Sequence, residues 1–271
     1  MSRPLLAVDG DSFAHRAYHA LPKKINRNAV VGFTNMITRL WEQEEPRAVL
    51  AAWDTLEVPT YRHEAFAAYQ SGREFDASLL EQLAMLPELC TALSFPVGKA
   101  PGYEADDFLA AAVAYEEARG GTVLVASGDR DAFQLVSDRT TVLHPVRGVS
   151  ELARIGPDEV RERYGVEPQQ VPDFIALRGD PSDKLPGAKG VGPKTAADLL
   201  RQYPSLEAML ADGRFSAQAE ELRLYRRIAA MDAAAPLPDI PDAQPDWEGG
   251  AELVRSWGLN QLAERLAART R

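Results

Sequence analysis

Short apolar runs alternate with longer segments of helical periodicity in the first half of the chain. The apolar runs occupy residues 5–11, 48–54, 122–131 and 140–145. Runs of this length, each followed by a helical pattern, are typical of buried parallel strands. Predicted helices over 29–43, 78–93 and 104–118 lie between them. The pattern predicts an α/β fold with a mostly parallel central sheet flanked by helices.

The strand pattern stops near residue 157. Helices are predicted over 156–165, 170–179 and 193–204, the last with proline in its first turn. A proline-punctuated link over 232–247 precedes a final predicted helix over 250–270. We therefore predict two domains, an α/β domain over 1–157 and a smaller helical domain over 158–271.

Composition narrows the class of protein. Hydrophobic residues make up 45% of the 271 residues and charged residues 26%, as in ordinary globular proteins. Cys90 is the single cysteine, so no internal disulfide can form, and the four histidines lack zinc-site spacing. No apolar stretch approaches the roughly 20 residues of a membrane helix. We expect a soluble cytoplasmic protein that does not bind membranes.

The net charge of −10 hides an uneven distribution. Residues 1–40 carry six basic residues against two acids, and 178–201 carry five against three. Residues 51–157 carry 16 acids against 8 bases. A polyanionic partner therefore remains compatible with the acidic average, because local charge decides such contacts.

Acidic residues follow the predicted strands, at Asp9, Asp54, Asp129 and Asp131. The carboxyl ends of parallel strands share one edge of a sheet, where ligands bind in open α/β folds. A further cluster, "EADD" over 104–107, starts a predicted helix nearby. We expect these carboxylates to converge.

Two interpretations of the 104–107 cluster are open. Acids in a first turn favour the positive end of the helix dipole, so the cluster could be a helix start alone. Convergent carboxylates about 4 Å apart, however, repel by about 4 kcal/mol per pair at an effective dielectric of 20. Oxygen ligands select hard cations such as Mg²⁺ or Mn²⁺, and two ions can clamp a phosphoryl displacement. A metal-free site should then show raised carboxylate pKa values.

The segment "GDPSDKLPGAKGVGPKTAADLL" over 179–200 carries a second kind of chemistry. Its glycines permit close backbone approach, its lysines add positive charge, and the following helix exposes N–H groups suited to phosphate. Pro193 stands where a nucleotide-binding P-loop requires lysine, which argues against that motif. A plain turn between helices is the alternative.

These motifs together resemble the bacterial 5′ nuclease family, which comprises the 5′→3′ exonuclease domain of DNA polymerase I and stand-alone flap endonucleases. The matching stretches are "LAVDG", "AAWD", "YRHEAFAAYQSGR", "PGYEADD", "SGDRDAFQLV" and "GDPSDKLPGAKGVGPKTA", which cover residues 5 to about 210 in this order. The resemblance implies a PIN-like nuclease core and a helix–three-turn–helix DNA-binding element at about 177–200. It also implies an arch at about 55–80 that accommodates a 5′ single strand.

The resemblance also implies roles for individual residues. A first metal ion would be held by Asp9, Asp54, Glu104 and Asp106, directly or through water. The second site or its outer shell would be formed by Asp107, Asp129, Asp131, Asp180 and Asp183. Substrate phosphates would be contacted by the catalytic residues Arg16, Arg62 and Arg73. Duplex DNA would be bound by Lys184, Lys189, Gly190, Gly192, Lys194 and Thr195.

The implied activity is two-metal hydrolysis of DNA phosphodiesters at 5′ flaps, nicks and 5′ ends in replication and repair. Mg²⁺ or Mn²⁺ would be the cofactor, and K⁺ would bind in the hairpin of the helix–three-turn–helix element. The protein would act as a monomer on DNA of the bacterial nucleoid. The apparent end of the chain near Arg271 suits a stand-alone enzyme. Two departures stand out: Gln70 replaces a usual lysine, and Lys184 replaces a usual asparagine.

Two other functions compete with this interpretation. "VDGDS" and "GDPSD" resemble motifs of Mg²⁺-dependent phosphatases of the haloacid dehalogenase type, which would leave the lysine-rich hairpin unused. A DNA-structure binding module that has lost catalysis is the second, suggested by Gln70. The intact set of acids argues against it.

Overall fold

A six-stranded sheet forms the centre of the computed structural model, which describes residues 3–72, 74–147 and 151–270. Its strands are β1 (Leu5–Asp9), β2 (Ala48–Ala52), β3 (Val97–Gly98), β4 (Val123–Ala126), β5 (Thr140–Arg147) and β6 (Glu151–Ile155). They lie in the order β3-β2-β1-β4-β5-β6. The first five run parallel and β6 pairs antiparallel with β5.

Both faces of the sheet are buried, which explains why its strands read as continuous apolar runs. Along β1, Leu5 and Ala7 enter one hydrophobic cluster, whereas Leu6 and Val8 enter the other. This alternation follows from the two-residue period of a strand. The fold is therefore a three-layer arrangement of helices, sheet and helices.

Helices flank the sheet throughout the chain. The first half contains α1 (Gly10–Ala20), α2 (Asn28–Glu44), α3 (Tyr61–Ala65), α4 (Ala77–Ala92) and α5 (Ala105–Ala118). The second half contains α6 (Pro157–Tyr164), α7 (Val171–Arg178), α8 (Pro193–Gln202), α9 (Leu206–Ala211), α10 (Ala219–Ala229), α11 (Trp247–Ser256) and α12 (Asn260–Ala267). Short 3₁₀ turns lie at 131–135, 168–170 and 216–218.

The predicted α/β class is confirmed, with differences in detail. The helices predicted over 29–43, 78–93 and 104–118 are α2, α4 and α5. Strands β3 and β6 were not predicted, because β3 has two residues and β6 is a largely exposed edge strand. The single predicted final helix is two helices, since Gly258 adopts a φ of 77° between α11 and α12.

The predicted boundary at residue 157 coincides with the first residue of α6, and the division into two domains stays a prediction. Helices α7, α8 and α10 pack in the cluster that contains α5. Helices α11 and α12 pack on the opposite face with α2 and α4. The chain after residue 157 thus covers both faces of the sheet.

No helix among the described residues is both long and apolar enough to cross a membrane.

Arg47, which directly precedes β2, pairs with buried Glu116 on α5 and also contacts the C-terminal link over 232–247. Arg47 contacts Glu116 at 2.5 Å and Asp242 at 2.9 Å, and its Nη1 donates to the Ile240 carbonyl at 3.1 Å. Glu116 is 5% exposed. Breaking such a pair leaves an uncompensated buried charge.

We expect Arg47→Met to lower the free energy of unfolding by about 3 kcal/mol, because Glu116 would lose its partner. Urea unfolding of the variant and of the wild type measures the difference. Arg161→Met is a matched control, since Arg161 forms exposed pairs with Asp158 and Glu167. Equal stability of all three proteins would contradict a stabilising role for the Arg47 pair.

Candidate active site

A cleft of about 690 Å³ lies beyond the carboxyl ends of the parallel strands. Nine carboxylates line it, contributed by strand ends, by the start of α5 and by the turn after α7: Asp9, Asp11, Asp54, Glu104, Asp106, Asp129, Asp131, Asp180 and Asp183. The structure thus brings together eight of the nine predicted metal-binding residues. Asp107 is the exception, and Asp11 is an addition.

Asp9 ends β1 and caps α1. Its Oδ1 accepts a hydrogen bond from the Ser12 amide at 2.9 Å, and its Oδ2 accepts one from the Ser127 hydroxyl at 2.7 Å. Burial raises the pKa of Asp9 from 3.8 to about 7. The two hydrogen bonds oppose this shift, whereas the charges of Asp54 and Asp129 reinforce it. The local structure of β1 and α1 therefore holds an acid where its charge is unfavourable.

Asp11 and Asp54 link the first two strands to α5. Asp11 Oδ2 accepts from the Asp54 amide at 2.7 Å, and Asp54 Oδ1 accepts from the Ala105 amide at 2.8 Å. Burial and the Asp54 charge raise the pKa of Asp11 well above its ordinary value. Asp11 was not among the predicted site residues, although its position two residues after a strand-end aspartate was an available signal.

The start of α5 divides its three acids between two environments. Glu104 accepts hydrogen bonds from Thr60 and from the Tyr69 hydroxyl, both at 2.9 Å. Burial raises the pKa of Glu104, and burial with the Asp9 and Asp129 charges raises that of Asp106 well above its usual range. Both side chains line the cleft.

Asp107 points away from the cleft and pairs with Arg62. The two Asp107 oxygens accept from Arg62 Nη1 and Nη2 at 2.9 and 2.7 Å, and Arg62 Nε donates to the Ile228 carbonyl at 2.9 Å. Arg62 is 3% exposed, so it cannot reach a substrate phosphate as placed. The expectations for Asp107 as a metal ligand and Arg62 as a phosphate contact are both corrected, because burial pairs them with each other.

The second wall of the cleft comes from the turn after β4 and the turn after α7. Burial and the charges of Asp129, Asp180 and Asp183 raise the pKa of Asp131 well above its ordinary value. Asp180 accepts bonds from the Ser182 amide at 2.8 Å and from Arg178 at 3.1 Å. The raised pKa values of Asp9, Asp11, Glu104, Asp106 and Asp131 have the direction predicted for a metal-free carboxylate site.

Close backbone packing shapes the turn that carries Asp180 and Asp183. Gly179 and Gly187 have φ values of 78° and 76°, and a Cβ on Gly187 would lie 2.4 Å from the Gly179 nitrogen. Only glycine fits both requirements. The pair brings the two ends of the turn together, so that its acids face the cleft.

The predicted DNA-binding residues lie on one exposed surface that includes the turn after α7 and the first turn of α8. We call this surface the glycine-lysine hairpin. Its members are all exposed: Lys184, Lys189, Gly190, Gly192, Lys194 and Thr195. A Cβ on Gly190 or Gly192 would meet no atom within 4 Å, so the backbone is open to an approaching ligand.

The other predicted site residues have mixed positions. Arg16 is half-buried on α1 and does not line the cleft, although its Nη2 lies close to Gly128, which does. Arg73 lies outside the described residues. In the predicted arch, Leu56, Tyr69, Gln70 and Phe75 line the cleft beside α3.

Arg178, His15 and Arg130 also line the cleft and were not predicted as site residues. Arg178 had one available signal, since it directly precedes the "GD" that starts the glycine-lysine segment. His15 and Arg130 offered none beyond their proximity to strand-end acids. Their placement depends on the packing of α1 and of the 3₁₀ turn at 131–135.

The donor set of the cleft fits hard divalent cations. All nine acidic side chains offer oxygen ligands, which suit Mg²⁺ and Mn²⁺. Among the described residues, no group of three or more Asp, Glu, His or Cys side chains is already arranged to hold an ion. Binding of an ion would therefore require side-chain rotation or water to complete the coordination shell.

The fold thus combines a carboxylate-lined cleft at the strand ends with an exposed glycine-lysine hairpin. Two family models match in succession: the 5′-3′ exonuclease N-terminal resolvase-like domain over residues 4–165, and the 5′-3′ exonuclease C-terminal SAM fold over 166–246. The chain belongs to the 5′-3′ exonuclease family.

Individual relatives agree with this membership. DNA polymerase I of Bacillus caldotenax is 38% identical over 98% of this chain and 32% of its own length. DNA polymerase I of Mycobacterium tuberculosis is 44% identical over 76% of this chain and 24% of its own length. The chain thus spans a quarter to a third of the length of these relatives.

The fold also matches a solved nuclease structure. The bacteriophage T5 flap endonuclease, in complex with DNA and metal ions, superposes with a TM-score of 0.71 over 98% of both chains at 19% identity. At this identity the likeness establishes the fold alone. The family models exclude the phosphatase alternative.

We expect the stability of the metal-free protein to fall as pH rises from about 4 to about 7. In this range the folded chain keeps a proton on Asp9 that the unfolded chain has released, so ionisation favours unfolding. The slope for one proton is at most about 1.4 kcal/mol per pH unit. Thermal unfolding in EDTA across this range measures it.

Asp9→Asn keeps the size of the side chain and should flatten this pH dependence. Excess Mg²⁺ should stabilise the wild type more at about pH 8 than at about pH 5, because ionised carboxylates bind cations. If neither Asp9→Asn nor Mg²⁺ changes the dependence of stability on pH, the electrostatic account of the cleft is contradicted.

Proposed function

We propose that the chain is a structure-specific 5′ nuclease that hydrolyses DNA phosphodiesters at 5′ flaps, nicks and 5′ ends. The observation that carries the proposal is the convergence of nine carboxylates in one cleft at the strand ends. The glycine-lysine hairpin places exposed positive charge on the same protein, as a polyanionic substrate requires.

We propose Mg²⁺ or Mn²⁺ as the cofactor. Asp9, Asp54, Glu104 and Asp106 would hold one ion, and Asp129, Asp131, Asp180 and Asp183 a second. When bound, the ions would lower the pKa of a water molecule and neutralise charge on the phosphate. Asp11 anchors the Asp54 amide, and the pairing of Arg62 with Asp107 fixes the start of α5, so both orient ligands without binding the ion.

The glycine-lysine hairpin would bind the phosphate backbone of the duplex. Gly190 and Gly192 leave space for close backbone approach, and the first turn of α8 adds amides that lack carbonyl partners within the helix. Lys189 and Lys194 would supply charge, and K⁺ would bind in the hairpin. We expect the chain to act as a monomer on nucleoid DNA in replication and repair.

A DNA-binding module without catalysis is the second candidate function, and Gln70 is the residue that suggests it. Its amide nitrogen donates to Asp183 at 3.1 Å and to the Tyr69 hydroxyl at 2.7 Å, so it occupies the cleft wall with a neutral group. The retained carboxylates favour the nuclease. Binding of a flap without cleavage in either Mg²⁺ or Mn²⁺ would favour the module.

We expect the wild type to cleave a 5′-flap duplex near its junction in Mg²⁺ or Mn²⁺ and to be inactive in EDTA. Asp129→Asn should lower kcat at least about 100-fold, because it removes an anionic ligand from the cleft. A flap labelled at both ends resolves the products. Asp158→Asn, on the exposed face of α6, is the matched control, and unchanged cleavage by Asp129→Asn would contradict the ligand assignment.

We expect Lys189→Ala with Lys194→Ala to weaken binding of flap duplexes of different sequence by similar factors. Each lost phosphate contact should reduce the slope of log K against log salt by about 0.9. Fluorescence anisotropy in Ca²⁺ at several salt concentrations measures both effects. An unchanged slope would show that the glycine-lysine hairpin does not contact phosphates.

A further inference from the structure

Arg178 presents a fixed positive charge inside the acidic cleft. It ends α7, and its side chain is 22% exposed. Its guanidinium carbon lies 5.3 Å from the centre of the Phe174 ring, and its Nη2 donates to Asp180 Oδ2 at 3.1 Å. An aromatic ring and a carboxylate therefore hold the guanidinium in place before any substrate binds.

The hydrogen bonds of Arg178 are incomplete. A guanidinium carries five N–H donors. Within the described ranges, its one hydrogen bond goes to Asp180, and its buried Nε has no partner. A buried donor without an acceptor is unfavourable unless a ligand supplies the acceptor. Arg178 thus has N–H donors that no described residue uses, and an anionic ligand in the cleft would supply acceptors for them.

No other arginine or lysine in the described cleft lining is held between an aromatic ring and a carboxylate. Arg130, the second arginine that lines the cleft, is exposed. Gln70 contributes a neutral amide, which already bonds Asp183 and Tyr69. A preorganised donor stabilises developing charge better than a mobile one, because it need not reorganise during the reaction.

We propose that Arg178 is a catalytic residue that donates hydrogen bonds to a non-bridging oxygen of the scissile phosphate. This inference rests on the proposed nuclease function. In the hydrolysis, a bond forms between the water oxygen and phosphorus, and the bond from phosphorus to the leaving oxygen breaks. The leaving oxygen gains a proton in exchange for the one that water loses. Arg178 remains protonated throughout and stabilises the charge on the phosphate.

A purely structural role makes a different prediction. The Arg178 charge offsets the repulsion among Asp131, Asp180 and Asp183. If that were its whole task, a neutral residue would change the Mg²⁺ concentration needed for half-maximal rate, while kcat at saturating Mg²⁺ would be retained. A loss of kcat at saturating Mg²⁺ would support the catalytic role, whereas a retained kcat would support the purely structural one.

The test uses the full chain with Arg178→Met, Arg178→Gln and Arg178→Lys. At saturating Mg²⁺ and flap substrate, we expect the neutral variants to lose about 100-fold in kcat, as oxyanion-hole donors do. The lysine variant should lose less, because it keeps the charge without the planar fork. The Kd for the flap in Ca²⁺, measured by anisotropy, should change less than about threefold, since the contact strengthens in the transition state.

Arg161→Met makes the same change of charge on the exposed face of α6 and should behave as the wild type. Thermal unfolding confirms that each variant is folded, and Arg178→Gln replaces Arg178→Met if the latter is not. A retained kcat in a folded neutral variant would overturn the role of Arg178 and leave the proposed nuclease intact. A wild type without metal-dependent cleavage would overturn both.

Discussion

Electrostatic repulsion among the cleft carboxylates is the constraint around which the rest of the structure is arranged. Parallel strands deliver Asp9 and Asp54 to one edge, and burial makes their charges unfavourable. Backbone amides and hydroxyls bind individual oxygens and so position each acid without neutralising it. The fold therefore maintains a concentration of carboxyl groups, whose ionised form a hard cation would stabilise.

The buried pair of Arg62 and Asp107 connects this charge to the framework. It joins α3, the start of α5 and the end of α10, which are far apart in sequence. Because the pair is bidentate and almost fully buried, it fixes the orientation of α5 and thereby of Glu104 and Asp106. Arg62 and Asp107 were expected to contact ligands, and instead they hold the start of α5 in place.

The chain separates its charges according to their tasks. Carboxylates converge on the cleft, while the glycine-lysine hairpin exposes basic groups. Gly179 and Gly187 pack closely at the base of the turn, so one loop places Asp180 and Asp183 at the cleft and leads directly into the basic surface.

The sequence by itself determined the α/β class, the strand-end acids and the exposed hairpin, because strand burial and glycine- and lysine-rich turns have local signatures. It could not find β6, whose formation depends on pairing with β5. The partners of side chains were decided only by tertiary structure. Asp106 and Asp107 are adjacent on one helix, yet helix geometry turns one to the cleft and the other to Arg62. Arg62 and Asp107 are 45 residues apart in the sequence, so their pairing depends on packing and no local sequence pattern predicts it.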